Sequence, residues 1–183
     1  THNTSPPTVP HAAFDDVGPV ATLDDVIAAD GKVSLREAID FANAQAGADT
    51  ITFAVAIRGG TIALDEGLGT LEISDDLTID GDRLNGGADG IVVDGQFNDP
   101  GTGFDDITGV QPFLVDGALA RFEDMTVANS LASAIVGESA TIELARSAID
   151  GALQPFPSFA VGLDISGGSA TVTDFGLNTS AGA

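Results

Sequence analysis

The pattern of apolar and polar positions changes period once along this chain, close to Gly47. Before that glycine, apolar residues recur at spacings of three and four on one helix face: Leu35, Ala38, Ile39 and Ala42. After it, apolar and polar residues alternate in runs of three to six residues, bounded by Gly or Asp-Gly. Alternation of this kind indicates half-buried strands. The chain is therefore predicted to form one helix followed by many short strands.

The start of the helix carries a capping signature. Ser34 is followed three residues later by Glu37, so each side chain can bond the backbone N–H of the other. Leu35 and Ile39 begin the apolar face, and Gly47 supplies a left-handed residue to end the helix. The pattern predicts a helix from about Leu35 to Ala46.

Internal repeats decide between the folds that short strands allow, which are a sandwich, a barrel and a solenoid. The run at 91–95 recurs at 113–117, an offset of 22. The segment 121–130 recurs at 143–151, again offset by 22, and at 171–180, a further 28 residues on. A period near 22 suits one coil of three strands and three turns. The sequence predicts an all-β, right-handed parallel β-helix of about four to five coils over residues 50–180, with the helix as its N-terminal cap.

Aligning these repeats predicts two internal ladders of stacked, buried apolar side chains. The ladders are Val115–Val136–Ile165 and Val127–Ile149–Leu177. Residues 1–20 contain four prolines and show no periodicity, which favours an extended linker or arm ahead of one β-helix domain at 21–183.

Charge and composition narrow the function. The chain has 28 acidic residues against 6 basic ones, a formal charge of -22, which excludes phosphate-rich partners such as nucleic acid and disfavours anionic membrane surfaces. Cysteine is absent, and no apolar run approaches the roughly 20 residues that span a bilayer. These features favour a secreted or cell-surface location outside the cell.

The segment around the helix resembles a known family. Asp-Gly-Lys-Val-Ser-Leu-Arg-Glu-Ala-Ile at 30–39, then Ala42-Asn43, then Gly-Ala-Asp-Thr-Ile-Thr-Phe at 47–53 are similar to the CSLREA domain. That domain opens large surface proteins of the parallel β-helix class. Val33 replaces the family's usual Cys, so any role of that Cys is absent here. The resemblance spans roughly residues 22–180 and implies a cap with first coils, without catalytic residues.

Catalytic chemistry finds little support. Acidic residues are adjacent at 15–16, 75–76 and 105–106, but neighbours in a strand point to opposite faces and do not form one site. Arg121 and Arg146 are isolated bases, which usually form surface ion pairs. We predict no enzyme and no bound cofactor. The alternative is a carbohydrate-binding or polysaccharide-cleaving module, which requires Asp94, Asp105 or Asp106 to converge with these arginines.

The many carboxylates make calcium a candidate ligand, because hard cations bind oxygen atoms. Asp24, Asp25 and Asp30, with Gly31 and Glu37, are similar to half an EF-hand loop. The first and third positions of such a loop would be Val26 and Ala28, which cannot ligate a metal. The loop 94–112, with Asp99, Asp105 and Asp106, offers a second weak candidate.

The final coil, 163–180, shows no second amphipathic helix and no Pro or Lys to guard its strand edges. Exposed edges pair with other strands. We therefore expect this end to be occupied, by further coils or by a protein partner, including self-assembly.

Overall fold

The computed structural model describes residues 9–10, 12–13, 33–81, 90–98, 108–150, 162–174 and 176–178. Within these ranges the chain is a parallel β-helix: short strands stack in three parallel sheets around one apolar core. One α-helix, α1 (Leu35–Asn43), precedes the first complete coil. The fold class predicted from the repeats is confirmed.

Each sheet receives one strand from every coil. Sheet 1 contains, in order, β1 (Val9–Pro10), β4 (Asp49–Thr52), β7 (Leu77–Asp80), β10 (Leu119–Glu123), β13 (Thr141–Ala145) and β16 (Ser169–Thr173). Sheet 2 contains β5 (Thr61–Ala63), β8 (Ile91–Asp94), β11 (Met125–Ala128), β14 (Ala148–Asp150) and β17 (Gly176–Asn178). Sheet 3 contains β6 (Leu71–Ile73), β9 (Phe113–Asp116), β12 (Ile135–Glu138) and β15 (Leu163–Ser166). Outside these sheets, β2 (Ala12–Ala13) pairs with β3 (Val33–Ser34), and Val55–Ile57 form one 3-10 turn. The strands from β4 to β15 make four complete coils, and β16 with β17 begins a fifth.

The core follows from strict alternation within the strands. In sheet 1, the inward side chains of Ile51, Ile79, Phe122 and Leu144 stack in register and are buried. Phe122 meets Phe113 of sheet 3 edge-to-face, with ring centroids 5.0 Å apart. Burying an aliphatic or aromatic side chain of this size contributes about 1.5–3 kcal/mol, so the stacked layers are the main source of stability.

One of the two predicted ladders is correct in register. Val127 pairs with Ile149, which pairs with Leu177, and both Val127 and Ile149 are buried. The side chain of Leu177 lies outside the described residues. The register is therefore as the repeat alignment predicts.

The other ladder was predicted with an error of one residue. Val115 and Ile165 both pair with Gly137, while Val136 pairs with Leu114 on the outer face. A Cβ at Gly137 would lie 2.9 Å from the Cδ1 atoms of Ile142 and Ile165. The inner position is a glycine because neighbouring isoleucines already fill the space, and an alignment on apolar identity selects the adjacent valine instead.

The helix ends earlier than predicted. It begins at Leu35 as expected but stops at Asn43 rather than Ala46, and Gly47 takes its positive φ of 116° in the following turn. The Asn43 amide bonds the backbone of sheet 3, and the Gly47 N–H donates to the Asp75 carboxylate at 3.2 Å. These tertiary hydrogen bonds replace another helical turn.

Part of the predicted arm is paired. Residues 9–10 form β1, parallel to β4, and residues 12–13 form β2. Two-residue strands leave no periodic signature in a sequence, and a sheet edge accepts Pro10 because the outer side needs no N–H donor. The rest of residues 1–20 lies outside the described residues.

We expect the two faces of the coil to respond differently to truncation. Val127→Ala should lower the free energy of unfolding by about 1–3 kcal/mol, because buried methyl groups are lost. Val136→Ala removes the same atoms from the outer face and should cost clearly less. Equilibrium denaturation of both variants measures this difference, and equal losses would contradict the register described here.

Candidate functional site: cap, corners and open end

The capping box predicted from the sequence is present at the start of α1. The Glu37 N–H donates to Ser34 Oγ at 3.2 Å, and the Ser34 N–H donates to Glu37 Oε2 at 2.7 Å. Both side chains are buried. Leu35 and Ile39, each 1% exposed, pack into the core from the same helix. These four residues close the N-terminal end of the apolar interior.

Two further helix side chains complete the cap, and sequence reasoning missed them. Arg36 donates from Nη1 to Thr70 O at 3.0 Å and from Nη2 to Gly69 O at 2.6 Å. Asn43 donates from Nδ2 to Glu72 O at 2.8 Å.

The Asn43 amide also accepts a hydrogen bond, from the Ser74 N–H to its Oδ1 at 2.9 Å. Strand β6 is the last strand of sheet 3 on this side, so side chains of the helix take the place of a missing strand. The only signal in the sequence is a spacing of seven residues, which puts Arg36 and Asn43 on one helix face.

The carboxylates of the adjacent residues Asp75 and Asp76 accept hydrogen bonds from backbone N–H groups. Asp75 accepts the N–H groups of Gly47 and Asp76, and Asp76 Oδ1 accepts the Leu119 N–H at 2.8 Å. The two carboxylates therefore fasten a corner between coils. Close by, burial raises the pKa of Asp49, and the negative charge of Asp75 raises it further.

Both arginines weighed as catalytic bases form ion pairs between coils, as predicted. Arg121 Nη1 contacts Glu143 Oε2 at 2.8 Å and also bonds Glu123 in its own strand. Arg146 holds Asp124 through two parallel hydrogen bonds of 2.8 and 2.7 Å. Hydrogen bonds to these carboxylates raise the pKa of both arginines. Neither guanidinium is suited to accept a proton, which a lyase reaction requires.

The remaining site residues do not come together in the described part of the chain. Asp94 accepts the Gln96 N–H at 2.8 Å and Asn129 Nδ2 at 3.1 Å. Asp105 and Asp106 lie outside the described residues. The calcium candidates Asp24, Asp25, Asp30 and Asp99 also lie outside them. Among the residues that are described, no group of three or more His, Cys, Asp or Glu side chains is placed to hold a metal ion.

The C-terminal coil presents an uncovered layer. In the described residues β15, β16 and β17 are the last strands of their sheets. Val172 is 46% exposed, whereas Leu144, one coil earlier in the same column, is 2% exposed. Leu163 and Ile165 are half-buried. The apolar column thus reaches solvent at this end.

Comparisons with protein-family models, curated proteins and solved structures give no match for this chain. The resemblance to the CSLREA domain rests on the quoted residues and stays a prediction. In the described region, no helix has the length and apolar character needed to cross a bilayer.

We expect Arg36 to contribute more to the free energy of unfolding than an arginine in a surface ion pair does. Arg36→Met keeps the apolar stem but leaves the carbonyls of Gly69 and Thr70, just before β6, without this donor, a loss of about 1–3 kcal/mol. Arg121→Met breaks an exposed ion pair and should cost less than about 1 kcal/mol. Urea unfolding of both variants tests this order, and a reversed order would show that Arg36 does not close the sheet edge.

Asp49 should make stability depend on pH. Its pKa is raised in the folded state, so its charged form destabilises the fold above that pKa. The effect disappears as pH falls towards the unfolded value of about 3.9. We therefore expect Asp49→Asn to be more stable than the parent at pH 7, with a gain that shrinks on acidification.

Thermal unfolding between pH 3.5 and pH 7 measures the effect at Asp49. Asp164→Asn, at an exposed position of β15, is the matched control for a change of net charge. A gain at Asp49 that is the same at every pH would contradict the electrostatic explanation.

Proposed function

We propose that this chain is a non-catalytic structural and interaction module: a rigid β-helix segment of a secreted or cell-surface protein. The proposal is supported by one observation: the polar side chains considered as site residues bond neighbouring coils and turns. Arg121 and Arg146 bridge successive coils, and Asp75, Asp76 and Asp94 accept hydrogen bonds that fix turns. Groups engaged in holding coils together are not available to bind and convert a substrate.

Stiffness is the property that these contacts favour. Each coil contacts the next through backbone ladders in three sheets, a stacked core and charged clamps on the outer face. In stacked repeats, stability arises from such neighbour interfaces. A segment coupled in this way transmits force and keeps its two ends at a fixed distance.

Location and family belong to the same proposal. A charge of -22 with no cysteine favours solubility outside the cell without disulfides. Assignment to the CSLREA class fits the cap, since α1 closes one end of the coil stack. The other end is proposed to engage protein, by self-assembly or with a different partner, through the open strands β15, β16 and β17.

The alternative, a carbohydrate-binding or polysaccharide-cleaving module, gains no specific observation from the described residues. It requires paired carboxylates about 5–10 Å apart, and Asp94 bonds Gln96 and Asn129 instead. The proposal needs no bound calcium or other cofactor.

Hydrogen exchange with a parallel activity assay tests the proposed function. Amides of β7, β10 and β13 should exchange with one common free energy, as a single cooperative unit. Neutral and acidic polysaccharides should yield neither new reducing ends nor unsaturated uronates. Coils that open with separate free energies would contradict the rigid segment. Cleavage that is lost in Asp94→Asn or Arg146→Gln would establish the enzyme instead.

A further inference from the structure

Three residues stack at the corner between sheets 1 and 2 in successive coils. Asp124, Arg146 and Asp174 have φ values of 51°, 48° and 50°. The Asp124 N–H donates to Ala145 O at 3.1 Å, and the Arg146 N–H donates to Thr173 O at 3.0 Å. The column therefore alternates in charge, acid–base–acid, with one residue from each coil.

Arginine is an unusual choice for this position. The left-handed region suits glycine, and among other residues asparagine and aspartate visit it most readily. Arg146 adopts it and reaches back to the preceding coil, where it holds both carboxylate oxygens of Asp124. The bidentate pair accounts for an arginine at a corner where glycine would fit the backbone better. An aspartate at this corner is thus matched by a base in the coil that follows.

Asp174 repeats the position of Asp124 without its partner. Its side chain is exposed, and among the described residues no basic group contacts it. The described residues that follow Asp150, at 162–174 and 176–178, include two charged residues, Asp164 and Asp174, and both are acidic. The column therefore ends, in the described region, on a carboxylate that has no base above it.

The backbone at the same place offers a strand edge. The Ser169 N–H donates to Ala140 O at 2.9 Å, and Thr173 O accepts from the Arg146 N–H. In a parallel ladder alternate residues face the same neighbour, so the N–H and C=O groups of Ala170 and Val172 point away from β13. The free N–H and C=O groups of this edge therefore lie close in sequence to an exposed apolar side chain, Val172, and to an exposed carboxylate, Asp174.

A second copy of this chain does not fit the edge well. At its N-terminal end α1 lies over β6 and β1 pairs with β4, so two of the three sheet edges there are covered in the described residues. Two C-terminal ends placed face to face would bring together two acidic surfaces, since the described charges at this end are Asp164 and Asp174. Like charges across an interface oppose binding.

We infer that β16 and β17 accept a parallel β-coil of a different polypeptide that carries Arg or Lys at the corner above Asp174. The inference rests on the proposed function and names the chemistry of its partner. Main-chain hydrogen bonds to Ala170 and Val172 provide affinity, as in other cases of strand addition. The base opposite Asp174 provides register and selectivity, because it fits one position only.

The chain itself supplies the probe. The segment Ala140–Asp150 already pairs in register with the preceding coil and places Arg146 on Asp124. We would add this segment as a free peptide, at millimolar concentration, to the full chain and follow amide exchange by NMR. The matched peptide carries Arg146→Gln. The matched protein is Asp174→Asn, since asparagine tolerates the same backbone conformation.

Exchange at Ala170 and Val172 should slow with the arginine peptide on the parent protein. Protection should fall about tenfold with either the glutamine peptide or Asp174→Asn. A charge-swapped pair, Asp174→Arg with a peptide carrying Arg146→Asp, should restore it. Equal protection by both peptides, or protection by neither, would overturn the inference. So would light scattering that shows the parent chain to be a dimer whose Ala170 and Val172 amides are already protected.

These outcomes are separate from those of the proposed function. Cooperative exchange of β7, β10 and β13 and the absence of polysaccharide cleavage do not depend on what binds at Asp174. If the peptide fails while the coils still exchange as one unit, the rigid segment stands and only its partner chemistry is wrong.

Discussion

The register between successive coils is the constraint on which the rest of this structure depends. Each strand must end at a corner that returns the chain directly above its starting point. At the corner between sheets 3 and 1, the equivalent residues Gly117, Ser139 and Gly167 all adopt positive φ. The N–H groups of Gly117 and Ser139 donate to carbonyls of the next coil. Because side chains alternate with a period of two, a slip of one residue would turn every apolar side chain outward.

The two ends of the stack differ in how far their strand edges are covered. At the N-terminal end, Arg36 and Asn43 of the helix form hydrogen bonds with the backbone of β6 and of the residues just before and after it. This helix is anchored by Leu35 and Ile39, so the same element covers both the apolar layer and the polar edge. At the C-terminal end, the described strands keep their edge, and Val172 reaches solvent. In the described region, helix side chains cover the β6 edge at one end of the stack, whereas no described strand covers β15, β16 and β17 at the other.

The distribution of charge agrees with the proposed role of a rigid segment. The chain is strongly acidic, yet Arg121 and Arg146 lie between coils. Arg121 contacts Glu123 in its own coil and Glu143 in the next coil, and Arg146 contacts Asp124 in the preceding coil. Exposed ion pairs are individually weak. Because each pair joins two neighbouring coils, one within a strand and one at a corner, the pairs favour one register over its neighbours.

The sequence by itself determined the features that depend on near neighbours. The period near 22 predicted the coil, and the spacing of Ser34 and Glu37 predicted the start of the helix. Tertiary structure decided the rest. Gly137 lies inside the ladder because Ile142 and Ile165 fill its space. The helix stops at Asn43 because β6, some 30 residues away, needs its amide. Such choices depend on which distant groups meet, and no local pattern of apolar and polar residues records them.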